Sequence, residues 1–168
     1  MRSEIPQPYM DTKELREKLL QKCYRYLSAR NRSEKEMRDY LKKKIQRFKL
    51  DNPEELIEKI IQELKEKNLI DDKKFINWWV EQRSYFKPKG LFVLKQELLQ
   101  KGINRDLINQ VLEENKIDEL ELAKTALRKK ARVLKGLKKE ERYQKAISFL
   151  MRRGFSFETA NKVFRIIF

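Results

Sequence analysis

Residues 69–103 read LIDDKKFINWWVEQRSYFKPKGLFVLKQELLQKGI, and this stretch indicates how the rest of the chain is built. Asp71 and Asp72 stand before a pattern of helical period, where aspartate caps a first turn and complements the positive end of the helix dipole. The apolar residues that follow at i, i+3 and i+4 are Phe75, Trp78 and Trp79. This spacing predicts a helix with one apolar face. Two adjacent carboxylates also suit a metal ion or acid–base chemistry, but their place at a helix start favours capping.

Two more helices are predicted in the same stretch. The segment KPKG, residues 87–90, ends the first helix because proline disfavours helix in the residue before it and glycine adds backbone freedom. A second helix then carries Leu91, Leu94 and Leu98 on one stripe. It ends at Lys101-Gly102, with a cation in the last turn and glycine at the C′ position. Asn104 is the predicted N-cap of a third helix, which completes a small three-helix unit.

The pattern recurs along the chain. Gly102-Ile103 is matched 52 residues later by Gly154-Phe155, and Leu98 is matched by Leu150 at the same offset. The first unit fits if it holds an insertion of six residues at about 46–51. Chance similarity between helices is the alternative, but caps, stops and apolar positions agree together. The sequence predicts an all-α tandem array of three three-helix units that forms an elongated, curved protein. Its predicted parts are a flexible leader, 1–11, and the units 12–68, 69–116 and 117–168.

Composition limits the chemistry that this chain can perform. The 168 residues include 41 Lys and Arg, 26 Asp and Glu and no His, for a formal net charge of +15. Such a balance suits nucleic acid, an anionic membrane surface or an acidic protein groove. Cys23 is the only cysteine, which excludes an intramolecular disulfide, and we expect a buried thiol. The sequence shows no signal-peptide pattern, so we expect a soluble, cytoplasmic protein without a membrane partner. We also expect a monomer.

Nothing in the sequence points to catalysis. It has no glycine-rich phosphate loop, no cluster of metal ligands and no pairing of a nucleophile with a base. We therefore predict a protein that is not an enzyme, with no catalytic residue, no metal and no cofactor.

Positive charge is concentrated in one window. Residues 123–153 hold twelve Lys and Arg against two Glu, whereas residues 50–72 hold eight acids against three Lys. The basic window predicts a surface that binds phosphates or acidic side chains in a salt-sensitive manner. A solvated helix face is the alternative, which a cluster of this size makes less favoured. The candidate binding residues in it are Arg128, Lys129, Lys130, Arg132 and Lys135.

Further cations stand where units or helices end. One set comprises Lys42, Lys43, Lys44, Lys101, Arg152 and Arg153. These residues either complement helix C-termini, worth about 0.3–1 kcal/mol each, or line one ridge that follows a helical partner. Arg30, Arg32 and Arg83 follow the first helices of two units, where guanidinium groups suit bidentate contacts with carboxylate or phosphate.

A basic loop flanked by aromatic residues completes the candidate sites. Lys87 and Lys89 follow Tyr85 and Phe86, a composition that stacking of nucleic-acid bases would use. Packing within and between units is the alternative role for these aromatic residues, and one of the two adjacent tryptophans is expected to be partly exposed.

The sequence resembles the RecX family of regulatory proteins. The resemblance rests on residues 32–37, RSEKEM, with Leu41, then on LIDD at 69–72 with Phe75, and on Lys89-Gly90 followed by ELLQKGI at 97–103. It covers roughly residues 20–168, and the last unit fits more loosely.

The resemblance implies a modulator of the RecA recombinase. Such proteins lie in the groove of the RecA–single-stranded-DNA filament and inhibit its ATPase, strand-exchange and coprotease activities, in homologous recombination, DNA repair and the SOS response. The partners implied are therefore the RecA filament and its single-stranded DNA, with free DNA as a further candidate. Two other functions stay open: a freestanding DNA-binding module that acts without recombinase, and an adaptor for an acidic protein.

Overall fold

The computed structural model describes residues 11–168. Within that range all regular structure is helical, which confirms the predicted all-α class. The helices are α1 (Thr12–Ser28), α2 (Glu34–Ile45), α3 (Pro53–Glu66), α4 (Asp72–Phe86), α5 (Leu91–Gln100), α6 (Arg105–Glu114), α7 (Glu119–Leu134), α8 (Lys139–Arg152) and α9 (Phe157–Ile167). The predicted leader, 1–11, lies outside the described residues except for Asp11, which precedes α1.

The helices form two compact units, which divide between Phe75 and Ile76. In the first unit, α1, α2 and α3 bury one apolar stripe each around a common core. Cys23 belongs to that core, as expected, and its thiol is free. Burial raises the pKa of Cys23 to about 12, so this cysteine behaves as a small apolar residue.

Helix starts follow the capping residues that the sequence predicts. Ser33 accepts a hydrogen bond from the Glu36 N–H at 3.2 Å and donates its own N–H to the Glu36 carboxylate, which closes the capping box of α2. Asn104 accepts from the Asp106 N–H at 2.7 Å at the start of α6. Asp71 accepts from the Lys74 N–H at 3.0 Å, which confirms its capping role. These caps fix where the helices begin and hence which residues lie in the loops.

Asp72 has a second capping role that the sequence did not reveal. Its carboxylate accepts the N–H of Glu34 at 2.9 Å, so a residue at the start of α4 satisfies a free donor at the start of α2. Burial, above all, raises the pKa of Asp72, and the charge of Glu34 adds to the rise, although the hydrogen bond from the Glu34 N–H opposes it.

Helix ends use the left-handed backbone conformation. Gly102 and Gly154 have φ of 80° and 86°, as expected for the C′ position. Asn68 and Lys116 take the same conformation after α3 and α6, with φ of 54° and 45°. Lys116 is unusual there because its Cβ makes this conformation costly.

The predicted insertion of six residues falls in a longer connection of the first unit. The connection 46–52 between α2 and α3 has seven residues, against four in the connection 101–104 between α5 and α6. Helices α2 and α3 are also longer than their counterparts, with 12 and 14 residues against 10 in each of α5 and α6. The predicted position, about 46–51, lies within that connection.

The second unit has a core between α7, α8 and α9, formed by ten buried residues from Ala123 to Val163. The loop before α5 lies directly against the turn between α8 and α9. The Gly90 N–H donates to the Arg153 carbonyl at 2.9 Å, and the Arg153 guanidinium donates to the Pro88 carbonyl at 3.1 Å. A Cβ atom on Gly90 would lie 2.0 Å from the Gly154 carbonyl oxygen, so only glycine permits this approach.

Candidate nucleic-acid interface

The basic window of the sequence forms the outer face of α7 and the surface beside α8. Helix α7 buries Ala123, Ala126 and Leu127, which leaves its cations on the opposite side. The five predicted residues of this window are all exposed, namely Arg128, Lys129, Lys130, Arg132 and Lys135. We call these five residues the α7 basic face. None of them forms an ion pair with any residue between 11 and 168, so their charge remains available to an anionic partner.

A groove beside the α7 basic face combines positive charge with an aromatic ring. Its volume is about 510 Å³, and Lys130, Lys145, Phe149 and Arg152 are among the residues that line it. The Lys130 ammonium lies 5.7 Å from the centre of the Phe149 ring, and the Arg153 guanidinium lies 4.7 Å from it. Phe149 is not among the site residues predicted from the sequence, although an aromatic residue three positions before Arg152 is a usable signal because the two share a helix face.

A second aromatic element stands at the end of α4. Tyr85 and Phe86 are 74% and 64% exposed, and their rings make an edge-to-face contact with centroids 4.9 Å apart. The Lys129 ammonium donates to the Tyr85 carbonyl at 2.6 Å and to the Phe86 carbonyl at 3.4 Å. Lys87 follows this pair and is exposed. Exposed aromatic rings beside cations can stack unpaired bases and neutralise phosphates together.

Three predicted residues of the second unit are half-buried and contact Glu97 or Trp79. Arg83 donates to Glu97 at 2.8 Å, the Trp79 indole N–H donates to the same carboxylate at 3.0 Å, and Lys89 pairs with its other oxygen. Arg83 also stacks on the Trp79 ring at 4.3 Å, while the Lys101 ammonium lies 5.3 Å from that ring. Trp79 is buried and Trp78 is half-buried, so the expectation of one partly exposed tryptophan is confirmed.

Glu97 is held ionised by these contacts. Burial on its own would raise the pKa of Glu97, but the hydrogen bonds from Lys89, Arg83 and Trp79 outweigh it and lower that pKa. Arg83 and Lys89 therefore have an intramolecular partner that the sequence did not show, because Glu97 lies 14 and 8 residues away from them. Both cations help to hold α4, the following loop and α5 together.

The predicted cations of the first unit have different surroundings. Arg30 makes a bidentate contact with Glu36, at 2.8 and 3.0 Å, beside the α2 capping box. Lys42 pairs with Glu54 at 3.1 Å, and Lys43 is exposed. The Arg32 guanidinium lies 3.8 Å from the Tyr26 ring centre, and the Lys44 ammonium lies 5.2 Å from that of Tyr40.

The cations at helix ends lie where the sequence placed them. Lys42, Lys43 and Lys44 are in the last turn of α2, Lys101 is the C-cap of α5, and Arg152 and Arg153 end α8. Their position complements the negative end of each helix dipole. Burial lowers the pKa of Arg153, the one residue of this set that also contacts the loop before α5.

The described part of the chain contains neither a group of acidic, His and Cys side chains suited to a metal ion nor a helix long and apolar enough to cross a membrane.

Comparison with known proteins places this arrangement in one family. The chain matches the first, second and third three-helix domains of RecX over residues 20–45, 71–112 and 117–164. These matches confirm the predicted tandem of three three-helix units, while the limits 12–68, 69–116 and 117–168 stay a prediction.

Sequence relatives agree with the domain matches. The chain is 36% identical over 135 residues to the regulatory protein RecX of Streptococcus mutans, across 80% of this chain and 50% of that protein. It is 34% identical over 142 residues to the regulatory protein RecX of Prosthecochloris aestuarii, across 84% of this chain and 88% of that protein. The chain thus spans about half the length of some relatives and most of the length of others.

Solved structures show the same architecture. A crystal structure of RecX from Lactobacillus salivarius matches with a TM-score of 0.71 and 26% identity, over 90% of this chain and 96% of that one. A second crystal structure, of regulatory protein RecX, matches with a TM-score of 0.71 and 28% identity, over 90% of this chain and 74% of that one. By domain content, sequence and fold, the chain belongs to the RecX family of regulatory proteins.

Proposed function

We propose that this chain regulates the RecA recombinase, mainly as an inhibitor, by binding in the groove of the RecA–single-stranded-DNA filament. Such binding would modulate the ATPase, strand-exchange and coprotease activities of the filament. The observation that carries the proposal is the α7 basic face in a member of the RecX family: five exposed cations that form no ion pair within residues 11–168. A protein that follows a nucleoprotein filament needs a surface of this kind.

The proposed mechanism uses charge and occupancy. Cations of the α7 basic face would neutralise phosphates of the filament DNA or acidic side chains of its subunits. A helical body in the groove would then block access of a second duplex and restrict the subunit motions that ATP turnover requires. The chain itself would perform no chemistry, in keeping with a regulatory family.

The choice of residues for a test follows from their contacts. Lys129 donates to two carbonyls at the end of α4, so changing it would disturb that loop as well as remove a charge. Arg128 and Arg132 are exposed, and their side chains form no hydrogen bond, ion pair or ring contact within the described range, so changes at them report on partner binding. Arg165 and Lys162 on α9 are exposed cations of the same compact unit and provide a control with the same change in net charge.

The test is a filament ATPase assay with the full chain, repeated over a series of salt concentrations. We expect inhibition at a stoichiometric ratio and low salt, weakened about 10-fold or more in Arg128→Gln/Arg132→Gln, since each lost phosphate contact removes about 0.9 from the salt slope. The control Lys162→Gln/Arg165→Gln should inhibit like the parent chain. An ATPase rate that the parent chain leaves unchanged at low salt would refute the proposal.

A freestanding DNA-binding module is the second candidate function. The exposed pair Tyr85 and Phe86 favours it, because rings beside Lys129 could stack bases of a free single strand. This function requires binding to naked single-stranded DNA with a steep salt slope and no dependence on recombinase. Tight binding to naked DNA together with an unaffected filament ATPase would select it over the filament regulator.

A further inference from the structure

The first compact unit carries a group of cations that the α7 basic face does not include. Lys18, Lys22 and Arg25 follow one another at i, i+4 and i+7 on α1, so they share one side of that helix. They line a single open depression of about 550 Å³. Lys44 and Arg47 stand at the end of α2. We call these five residues the α1–α2 cation cluster.

An aromatic column joins the two helices under this cluster. The rings of Tyr26 and Tyr40 stack face to face, with centroids 4.2 Å apart and planes inclined by 5°. Lys44 lies over the Tyr40 ring, and the Tyr40 hydroxyl donates to the Lys22 carbonyl at 3.4 Å. Lys44 and Lys22 are therefore held on neighbouring helices by the same tyrosine.

Most of the cluster has no acidic partner, although Glu17 lines the same depression. Lys18 pairs with Glu14, but Lys22, Arg25, Lys44 and Arg47 form no ion pair with any residue that the structure describes. Burial first, and then the positive charges of Arg47 and Lys44, lower the pKa of Lys22. Like charges brought together in this way repel one another, and an anion bound among them would relieve that repulsion.

The α3 side of the same unit is different. Arg38 pairs with Glu34 and Glu58 at 2.7 Å, Lys59 pairs with Glu55 at 2.7 Å, and Arg16 pairs with Glu63. The cations of that side are neutralised by neighbours, whereas in the α1–α2 cation cluster only Lys18 is. The unit thus has one side of paired charges and one side of unpaired positive charge.

The composition of the surface indicates which partner fits it. Leu69 is the first large apolar side chain with high exposure along the described residues, so none stands on α1 or α2. A protein interface normally has an apolar centre, whereas nucleic-acid interfaces are polar and strongly positive. Tyr26 and Tyr40 stack on each other, Lys44 lies over Tyr40, and Arg32 lies over Tyr26. The faces of these two rings are therefore occupied, so the groups that the cluster offers to a nucleic acid are mainly its cations, which bind phosphates.

We infer that the α1–α2 cation cluster is a second nucleic-acid surface, which binds the phosphodiester backbone without regard to base sequence. It belongs to a different compact unit from the α7 basic face, and it does not depend on the recombinase proposal. Contacts of this kind position a protein on nucleic acid and make its affinity strongly salt-dependent.

The first experiment measures binding of the full chain to a DNA duplex of about 20 base pairs by fluorescence anisotropy, between about 50 and 200 mM salt. A duplex offers no unpaired bases to Tyr85 and Phe86, so phosphate contacts dominate the signal. We compare Arg25→Gln/Arg47→Gln with Lys35→Gln/Lys59→Gln, whose lysines pair with Asp39 and Glu55. Both variants lose two positive charges from the first unit.

We expect the cluster variant to bind the duplex about 10-fold more weakly than the control at low salt, with a salt slope smaller by about 1–2. Equal affinities and slopes for the two variants would overturn the inference. Loss of binding to a polyglutamate peptide with unchanged duplex binding would also overturn it, since the cluster would then serve an acidic protein. The filament ATPase assay tests the proposed function, and the duplex-binding assay tests the α1–α2 cation cluster. Either proposal can therefore fail while the other holds.

A single substitution separates binding from folding. Lys22→Met removes a charge that is disfavoured in the folded chain. The aliphatic part of the methionine side chain keeps the packing of the lysine stem. We expect the melting temperature to rise while duplex affinity falls about 3-fold or more. A fall in duplex affinity accompanied by a lower melting temperature would assign Lys22 a structural role, and unchanged affinity would remove it from the surface; either result counts against the inference.

Discussion

Replacing Gly90 with alanine tests the closest approach of backbone segments in the second compact unit. An ideal Cβ at Gly90 would lie 2.0 Å from the Gly154 carbonyl oxygen, 2.3 Å from the Gly154 carbonyl carbon and 2.7 Å from the Phe155 nitrogen. All three atoms belong to the backbone, so no side chain can rotate away to make room. The loop before α5 must instead separate from the turn between α8 and α9.

The expected loss combines two contributions. Forcing a methyl group into a closely packed site costs about 1–3 kcal/mol. Separation of the two segments also breaks the hydrogen bond from the Gly90 N–H to the Arg153 carbonyl, which is 2.9 Å long and worth about 1 kcal/mol. We therefore expect Gly90→Ala to lower the free energy of unfolding by about 3 kcal/mol.

Gly136 provides the matched control. No atom lies within 4 Å of a Cβ built at Gly136, and its φ is not positive. Alanine there should leave stability unchanged or raise it by up to about 1 kcal/mol, because it restricts the unfolded chain. The assay is guanidinium unfolding followed by circular dichroism, with hydrogen exchange to locate the change in the second unit. Equal stabilities for Gly90→Ala and Gly136→Ala would refute the reasoning.

Three further substitutions test other contacts. Lys116→Gly should raise the free energy of unfolding by about 1 kcal/mol in thermal or denaturant unfolding, because φ of 45° is costly for lysine; a loss of stability would contradict this. Glu97→Gln should cost about 2 kcal/mol at neutral pH. The pKa of Glu97 is lowered in the folded state. The stability that its carboxylate contributes is therefore fully present above the ordinary glutamate pKa and is lost as pH falls through the folded-state pKa. Unfolding curves over a pH series should show the stabilities of the two proteins converging in acid. Asp72→Asn should raise the melting temperature at neutral pH. The asparagine keeps an oxygen acceptor for the Glu34 N–H and removes a carboxylate whose pKa is raised by burial. The difference in melting temperature should shrink as pH falls through the raised pKa of Asp72.

Most of the fold could be predicted from the sequence because its signals are local. A capping box spans four residues, as from Ser33 to Glu36, and an apolar stripe repeats within one helix. Residues 87–90 end the helix directly before them, and Gly102 and Gly154 likewise end the helices that they follow. Each of these features is decided by residues that are close in the chain, so periodicity and residue type suffice to place it.

The candidate sites were harder to predict because their contacts are not local. Arg83 and Lys89 have the residue types of phosphate ligands, but Glu97 engages both of them across a loop. Lys129 contacts the Tyr85 carbonyl 44 residues away, and Gly90 lies against Gly154. No pattern within one helix encodes such pairs, since they arise only when α4, α5, α7 and α8 pack together.

Contacts within the chain therefore indicate which cations are available to a partner, and they do so better than sequence position does. A cation that has a carboxylate partner, such as Arg30 with Glu36 or Lys89 with Glu97, already stabilises the fold and gains little by changing partner. A cation without a carboxylate partner, such as Arg128 or Arg25, is repelled by nearby cations in the free chain. A bound anion relieves this repulsion, so such a cation stabilises a complex more than it stabilises the free chain. By this criterion the α7 basic face and the α1–α2 cation cluster are the surfaces on which partner binding should depend. Neutralising their residues other than Lys18 and Lys129, which have contacts within the chain, should weaken binding without weakening the fold.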